Sequence, residues 1–193
     1  MYSGLQFLES KLQPPPIRGG ISISRPAVRA EIGIDLPEDY LQFCETFPPG
    51  KIADELRIFS PLIRRGSGWR VDGGGFIRMV EYNSREIGAA LTEIDEIRPG
   101  ACPYVFYPES GGLLAWASNP NGDHCFWLTS EADPNTWPCL VWFRGDRPGE
   151  AWRRYDLTMV ELLSVLLLKE DPLLNRLLAS GSTEWTWSMR KAN

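Results

Sequence analysis

Between residues 103 and 155 the chain alternates short aromatic and β-branched runs with turn sequences. These runs predict five strands, at 104–107, 113–117, 124–129, 139–144 and 152–155. The connecting sequences, such as PESGG and NPNGD, are short, so consecutive strands can pair only as hairpins. This part of the chain therefore predicts an antiparallel meander, and a further strand is predicted upstream, at 56–59.

A buried helix is predicted directly after the meander. Thr158 and Glu161 have the spacing of a capping box, in which each side chain accepts a backbone N–H of the first turn. The following residues are apolar almost all round, which is typical of a buried helix. Other helices are predicted at about 5–12, 24–33, 36–47, 83–97 and 171–179.

These elements predict an α+β fold. We expect an antiparallel meander sheet of about five to six strands, packed with N-terminal helices, a mid-chain helix and a buried C-terminal helix. The length of 193 residues fits a single domain. Its core is expected to cover about 25–170, with 1–24 and 180–193 as peripheral extensions, and 64–75 is predicted to be a mobile loop.

Charge argues against nucleic acid as a partner. The net charge is −5, whereas nucleic-acid-binding proteins cluster cations against phosphates. Residues 31–55 carry seven acids against the single cation Lys51. Such a run is either a solvated face, the commoner case, or a surface for a basic partner. The next stretch has the opposite sign, with Arg57, Arg64, Arg65 and Arg70 and no acid between them.

No metal site, cofactor or membrane span is predicted. The four cysteines form no CxxC pair, and His124 is the only histidine, so a zinc ligand set is not evident. The first residues lack the basic start and apolar stretch of a signal peptide. No apolar run approaches the ~20 residues that cross a bilayer. We therefore expect a cytoplasmic protein whose cysteines are buried as small hydrophobic residues.

Candidate catalytic groups are few. His124 lies next to Asp123 in a predicted hairpin, which favours a turn residue over a general base. Glu109, Asp123 and Glu131 could supply paired carboxylates for glycosidase-like chemistry, but solvated turn acids are the simpler interpretation. Catalysis is therefore not predicted.

Three tryptophans occupy successive predicted strands. Trp116, Trp127 and Trp142 either pack beneath the helices or leave part of one sheet face open to a partner. Tryptophan serves both purposes, because it combines a large apolar surface with one N–H donor. The sequence alone leaves both alternatives open.

Several segments, in order, resemble the SUKH superfamily, to which the fungal cell-wall assembly regulators of the Smi–Knr type also belong. LPEDYLQF at 36–43 is similar to its Leu-Pro-x-x-Tyr-x-x-Phe signature. YPESGGLLAWASNPNGDHCFWLT at 107–129 resembles its glycine turn, its strand ending in Trp, its Asn-Gly-Asp hairpin and its Phe-Trp strand. WPCLVWFR at 137–144 and a helix after Tyr155 continue the order, so the resemblance covers about 25–170.

The resemblance implies helices packed around one antiparallel sheet and a role as the immunity partner of a bacterial toxin, often a nuclease or a deaminase. It implies no catalytic residue and no cofactor. The alternative is a regulatory or scaffolding module that binds housekeeping proteins, as the fungal relatives are thought to do. Candidate partner-binding residues are the acids, turn residues and strand tryptophans Glu38, Asp39, Glu109, Trp116, Asn119, Asp123, Trp127 and Trp142.

Overall fold

A seven-stranded antiparallel sheet and a separate two-stranded hairpin organise the molecule. The structure is a computed structural model, and it describes residues 4–16, 20–66, 68–147, 149–178 and 185–189. The strands are β1 (Gly50–Ile52), β2 (Leu56–Ile58), β3 (Leu62–Arg65), β4 (Gly68–Val71), β5 (Leu113–Ser118), β6 (His124–Leu128), β7 (Cys139–Trp142), β8 (Trp152–Tyr155) and β9 (Trp187–Met189). Their order in the large sheet is β8-β7-β6-β5-β2-β1-β9, while β3 and β4 form the hairpin.

Five α-helices are present within the described ranges. They are α1 (Gly4–Leu12), α2 (Arg25–Ile32), α3 (Glu38–Thr46), α4 (Gly73–Ile97) and α5 (Met159–Leu168). The predicted α+β class is confirmed. The predicted capping box at the start of α5 is also confirmed, with Thr158 accepting from the Glu161 N–H and Glu161 accepting from the Thr158 N–H. The predicted helix at 171–179 is wrong in type, because the described residues there contain only a 3₁₀ turn, Leu174–Leu177.

The meander forms as predicted from β5 to β8, joined by antiparallel pairing throughout. The strand predicted at 104–107 is wrong, since this segment makes only an isolated bridge between Phe106 and Leu113. The strand predicted at 56–59 is confirmed as β2. Two strands of the large sheet, β1 and β9, were not predicted, because three-residue strands carry little periodicity of their own.

The prediction of a loop at 64–75 is wrong. Its first part belongs to the β3–β4 hairpin, and α4 begins at Gly73, ten residues before the predicted start. The Asp72 side chain accepts a hydrogen bond from the Gly75 N–H at 3.0 Å and so caps the helix. Glycine is required at 73, because a Cβ there would lie 2.4 Å from the Cβ of Glu31.

The ends of the described chain belong to the core, so the prediction of peripheral extensions is wrong for them. Leu8 and Leu12 of α1 are buried. At the other end, β9 pairs with β1, and the Trp187 ring packs edge-on against Phe43 and Phe47 at centroid distances of 5.6 and 5.2 Å. Residues 1–3, 17–19, 180–184 and 190–193 of the predicted extensions lie outside the described residues.

Helices cover both faces of the large sheet. The Asn83 side chain of α4 contacts His124 on one face. On the opposite face the Tyr40 ring of α3 packs edge-on against Trp127, with ring centroids 4.9 Å apart, and its hydroxyl donates to the Phe59 carbonyl at 2.6 Å. Strand β7 is consequently buried at every position and β5 and β6 at all but their last residue.

Candidate protein-binding surface

The acids of residues 31–55 are largely paired within the fold. The Arg25 guanidinium contacts the carboxylates of Glu38 and Glu45, each at 2.5 Å, and it lowers the pKa of Glu38. Asp35 pairs with Arg29. Since these carboxylates already have cationic partners, the segment presents far less free negative charge than its composition indicates.

Asp39 links two helices. Its Oδ2 accepts a hydrogen bond from the Val160 N–H at 3.0 Å. Val160 lies in the first turn of α5, where backbone N–H groups have no partner within the helix. Burial raises the pKa of Asp39 above its usual value. The side chain therefore completes the cap of α5, and its role in the described structure is internal.

The three strand tryptophans lie in the core. The exposed fractions of Trp116, Trp127 and Trp142 are 0%, 1% and 6%. Of the two alternatives that the sequence left open, the structure therefore shows packing beneath the helices, because helices cover both faces of the sheet. A partner could reach these rings only if the covering helices moved away.

Asn119 and Asp123 are buried and hydrogen-bonded to each other across the β5–β6 turn. The Asp123 N–H donates to Asn119 Oδ1 at 3.0 Å, and Asn119 Nδ2 donates to Asp123 Oδ2 at 2.9 Å and to the Leu177 carbonyl at 3.2 Å. The Arg144 N–H donates to the remaining oxygen, Asp123 Oδ1, at 3.0 Å. Their polar atoms are satisfied internally, so both residues maintain this end of the sheet and present little to a partner.

His124 is buried between α4 and the sheet. Its Nε2 lies 3.1 Å from Asn83 Oδ1, and its Nδ1 lies 2.8 Å from the Gly122 carbonyl. Burial lowers its pKa, which favours the neutral imidazole. A neutral ring carries one N–H and can donate to only one of these two oxygens, so His124 acts here as a packing contact between two layers.

Glu109 is exposed and lies in a groove. Among the predicted partner-binding residues that the structure describes, it is the one exposed residue whose side chain makes no hydrogen bond or ion pair within the protein. The groove runs between α4 and the segment 102–109 and has a volume of about 1020 Å³. The Phe106 ring packs against α4 at Gly88, where an added Cβ would lie 3.4 Å from the ring.

Two large side chains are exposed in the groove. Tyr82 on α4 is 58% exposed, and Val105 on the facing segment is 53% exposed. The rings of Phe106 and Tyr107 lie beside them, half-buried. Half-exposed aromatic and aliphatic groups around a concave surface are typical of binding anchors.

The charged groups of the groove are mainly acidic. Four carboxylates line it against two guanidinium groups, namely Glu81, Asp95, Glu96 and Glu109 against Arg78 and Arg85. Asp95 accepts a hydrogen bond from the Cys102 N–H at 3.2 Å, which joins the segment to the C-terminal half of α4. The groove therefore combines exposed apolar side chains with a net negative charge.

Sequence reasoning did not find Tyr82 and Val105. Tyr82 could have been found if α4 had been predicted from residue 73, because the buried positions 76, 80, 84, 87 and 91 place residue 82 on the outer side. Val105 had no such signal, since its segment resembled a strand.

Other kinds of site receive little support from the described residues. They contain no group of three or more His, Cys, Asp and Glu side chains that could hold a metal ion. Helix α4 has 25 residues, but neither it nor another helix of the described ranges is apolar enough over a sufficient length to span a bilayer. Comparisons with family models, with curated proteins and with solved structures find no match to this chain.

Proposed function

We propose that the chain is a non-catalytic protein-binding domain, an immunity protein that neutralises a cognate bacterial toxin of the nuclease or deaminase type by occluding it. The observation that carries the proposal is the groove between α4 and 102–109, in which both Tyr82 and Val105 are exposed. The ordered SUKH-like segments support the same function. Two residues of those segments make internal hydrogen bonds: Tyr40 donates to the Phe59 carbonyl, and Asp123 accepts from the Arg144 N–H.

The groove accounts for binding in physical terms. Exposed aromatic and aliphatic anchors carry most of the affinity in protein interfaces when a partner covers them. Because four acids and two arginines line the groove together with apolar side chains, it favours a toxin segment that carries both basic and apolar side chains. An inhibitor of this kind needs only to block access to an active site, so it requires no reacting group of its own.

We also propose that the protein acts in the cytoplasm. Cys44, Cys102, Cys125 and Cys139 are all free thiols. Free thiols are typical of proteins in a reducing compartment. An immunity protein against a nuclease or a deaminase would be needed there, where the toxin meets its substrates.

The test compares groove variants with a matched control. The genes on either side are first searched for a toxin, and the toxin found there is produced together with Tyr82→Ala, Val105→Asp or Ile97→Asp. Ile97 lies on the same helix outside the groove and is 80% exposed, so it controls for loss of a surface apolar group.

We expect each groove variant to bind the toxin about tenfold more weakly or worse and to lose protection of the cells, while Ile97→Asp protects fully. Full protection by both groove variants would contradict the proposal. Capture of a housekeeping protein through Tyr82, with no toxin bound, would favour the regulatory or scaffolding alternative.

A further inference from the structure

The β3–β4 hairpin carries a cluster of exposed arginines. Arg64, Arg65 and Arg70 are exposed, and no acidic residue occurs in either strand. Because directly paired residues share a face, the register places Arg65 and Arg70 on one face and Arg64 beside Trp69 on the other. Both faces of the hairpin therefore carry positive charge.

The base of the hairpin is fixed to the body of the protein. Leu62 is buried, and Trp69 and Val71 pack against the core. The Asp72 N–H donates to the Pro61 carbonyl at 2.6 Å and closes the base. An isolated two-stranded hairpin is marginal in water, so these contacts give the arginines a defined position.

Two acids at the base of the hairpin already have other partners. Asp72 caps α4 through the Gly75 N–H, and Glu31 accepts from the Gly73 N–H at 2.9 Å. Within the described part of the chain, none of the three hairpin arginines has a carboxylate at salt-bridge distance. Three guanidinium groups thus remain available to an external anion.

We infer that the hairpin is a docking arm for an acidic surface on a protein partner. Guanidinium groups bind carboxylates through two parallel hydrogen bonds, which suits a compact cluster of Asp and Glu side chains. Each strand has four residues and spans roughly 13 Å, so the arm fits a small acidic cluster. This surface is separate from the groove, and the inference does not depend on the proposed function.

A protein partner is favoured over nucleic acid by the charge of the remaining chain. The sequence holds 20 Lys and Arg against 25 Asp and Glu, so outside the hairpin the excess of acids is larger still. A polyanion longer than the arm would meet this net negative surface and be repelled. A local acidic cluster would meet only the arginines.

The test measures binding of two defined probes by fluorescence anisotropy at low salt. One probe is a labelled 12-residue peptide of alternating Glu and Gly, and the other is an oligothymidylate of equal charge. The hairpin variant replaces its three arginines with glutamine. The control variant, Arg98→Gln with Arg147→Gln and Arg154→Gln, removes the same charge from exposed positions elsewhere.

We expect the acidic peptide to bind about tenfold more weakly to the hairpin variant and within twofold of wild type to the control. Equal loss in both variants would overturn the inference, because the effect would then be general electrostatics. Tighter, hairpin-dependent binding of the oligothymidylate would also overturn it in favour of nucleic acid. The groove variant Tyr82→Ala should bind the peptide as wild type does. Peptide binding therefore tests the hairpin alone, whether or not the proposed function of the groove is correct.

Discussion

Asp39 tests whether the acidic segment serves the fold or a partner. The replacement Asp39→Ala removes the acceptor for the Val160 N–H, which lies 3.0 Å from Asp39 Oδ2 in the first turn of α5. The Thr158–Glu161 capping box does not replace it, since it satisfies other N–H groups of the same helix end. The variant therefore leaves one buried donor without a partner.

Loss of such a cap costs about 1–2 kcal/mol in the free energy of unfolding. For a domain of 193 residues this lowers the melting temperature by about 3–6 °C. In contrast, Asp39→Asn keeps an oxygen acceptor and removes a buried charge, so its stability at pH 7 should lie within about 0.5 kcal/mol of wild type. Urea unfolding followed by circular dichroism measures both variants.

The pH dependence gives an independent check of the same residue. Burial raises the pKa of Asp39, so its contribution to stability is greatest when it is protonated and is lost as the pH rises through the raised pKa. Raising the pH through this pKa should therefore lower the free energy of unfolding of wild type relative to that of Asp39→Asn.

Glu38→Gln is the matched control, because Glu38 is adjacent but 46% exposed in its ion pair with Arg25. Such exposed pairs contribute at most about 1 kcal/mol. Wild-type stability in Asp39→Ala, or an equal loss in Glu38→Gln, would refute the assignment of Asp39 as an internal cap.

Variants at three further residues test other internal contacts. Asp123→Ala removes two hydrogen bonds from the β5–β6 turn and should cost about 2–3 kcal/mol in urea unfolding, with Asp123→Asn costing less. Tyr40→Phe should cost about 1 kcal/mol, because it removes the hydrogen bond from the hydroxyl to the Phe59 carbonyl and leaves the ring in place. Burial lowers the pKa of His124, so the stability that it contributes is present above about pH 6.5 and is lost as the pH falls through the lowered pKa. Since it is the only histidine, His124→Gln should make the free energy of unfolding depend less on pH between pH 7 and 5.

The meander and α5 could be predicted because their signals are local. Turn residues such as Asn121-Gly122 separate the runs of the meander, and the Gly122 φ of 87° confirms that a positive value is required there. The capping box of α5 is likewise contained in four consecutive residues. In contrast, β1 and β9 are three residues each, and β9 becomes a strand by pairing with β1 from the other end of the chain.

The start of α4 was missed for a related reason. Three consecutive glycines disfavour a helix by intrinsic propensity. Tertiary contacts overcome this preference, since Asp72 caps the turn and α2 leaves no space for a side chain at Gly73. The prediction therefore placed the helix boundary ten residues late.

The candidate site was harder to predict than the fold. Composition identified the acidic segment but could not show that Arg25 neutralises two of its carboxylates. Strand periodicity could not decide whether one or both sheet faces are covered, so Trp127 remained ambiguous. The groove combines Tyr82 and Val105, and only the packing of a non-strand segment against α4 brings them together.

The most direct test of the central claim, that this groove contacts the partner, is hydroxyl-radical footprinting of the protein free and bound to its toxin. Tyr82 and Val105 should react several-fold less in the complex, while Ile97, on the same helix outside the groove, should react equally in both states. Unchanged reactivity of Tyr82 and Val105 in a saturated complex would contradict the account.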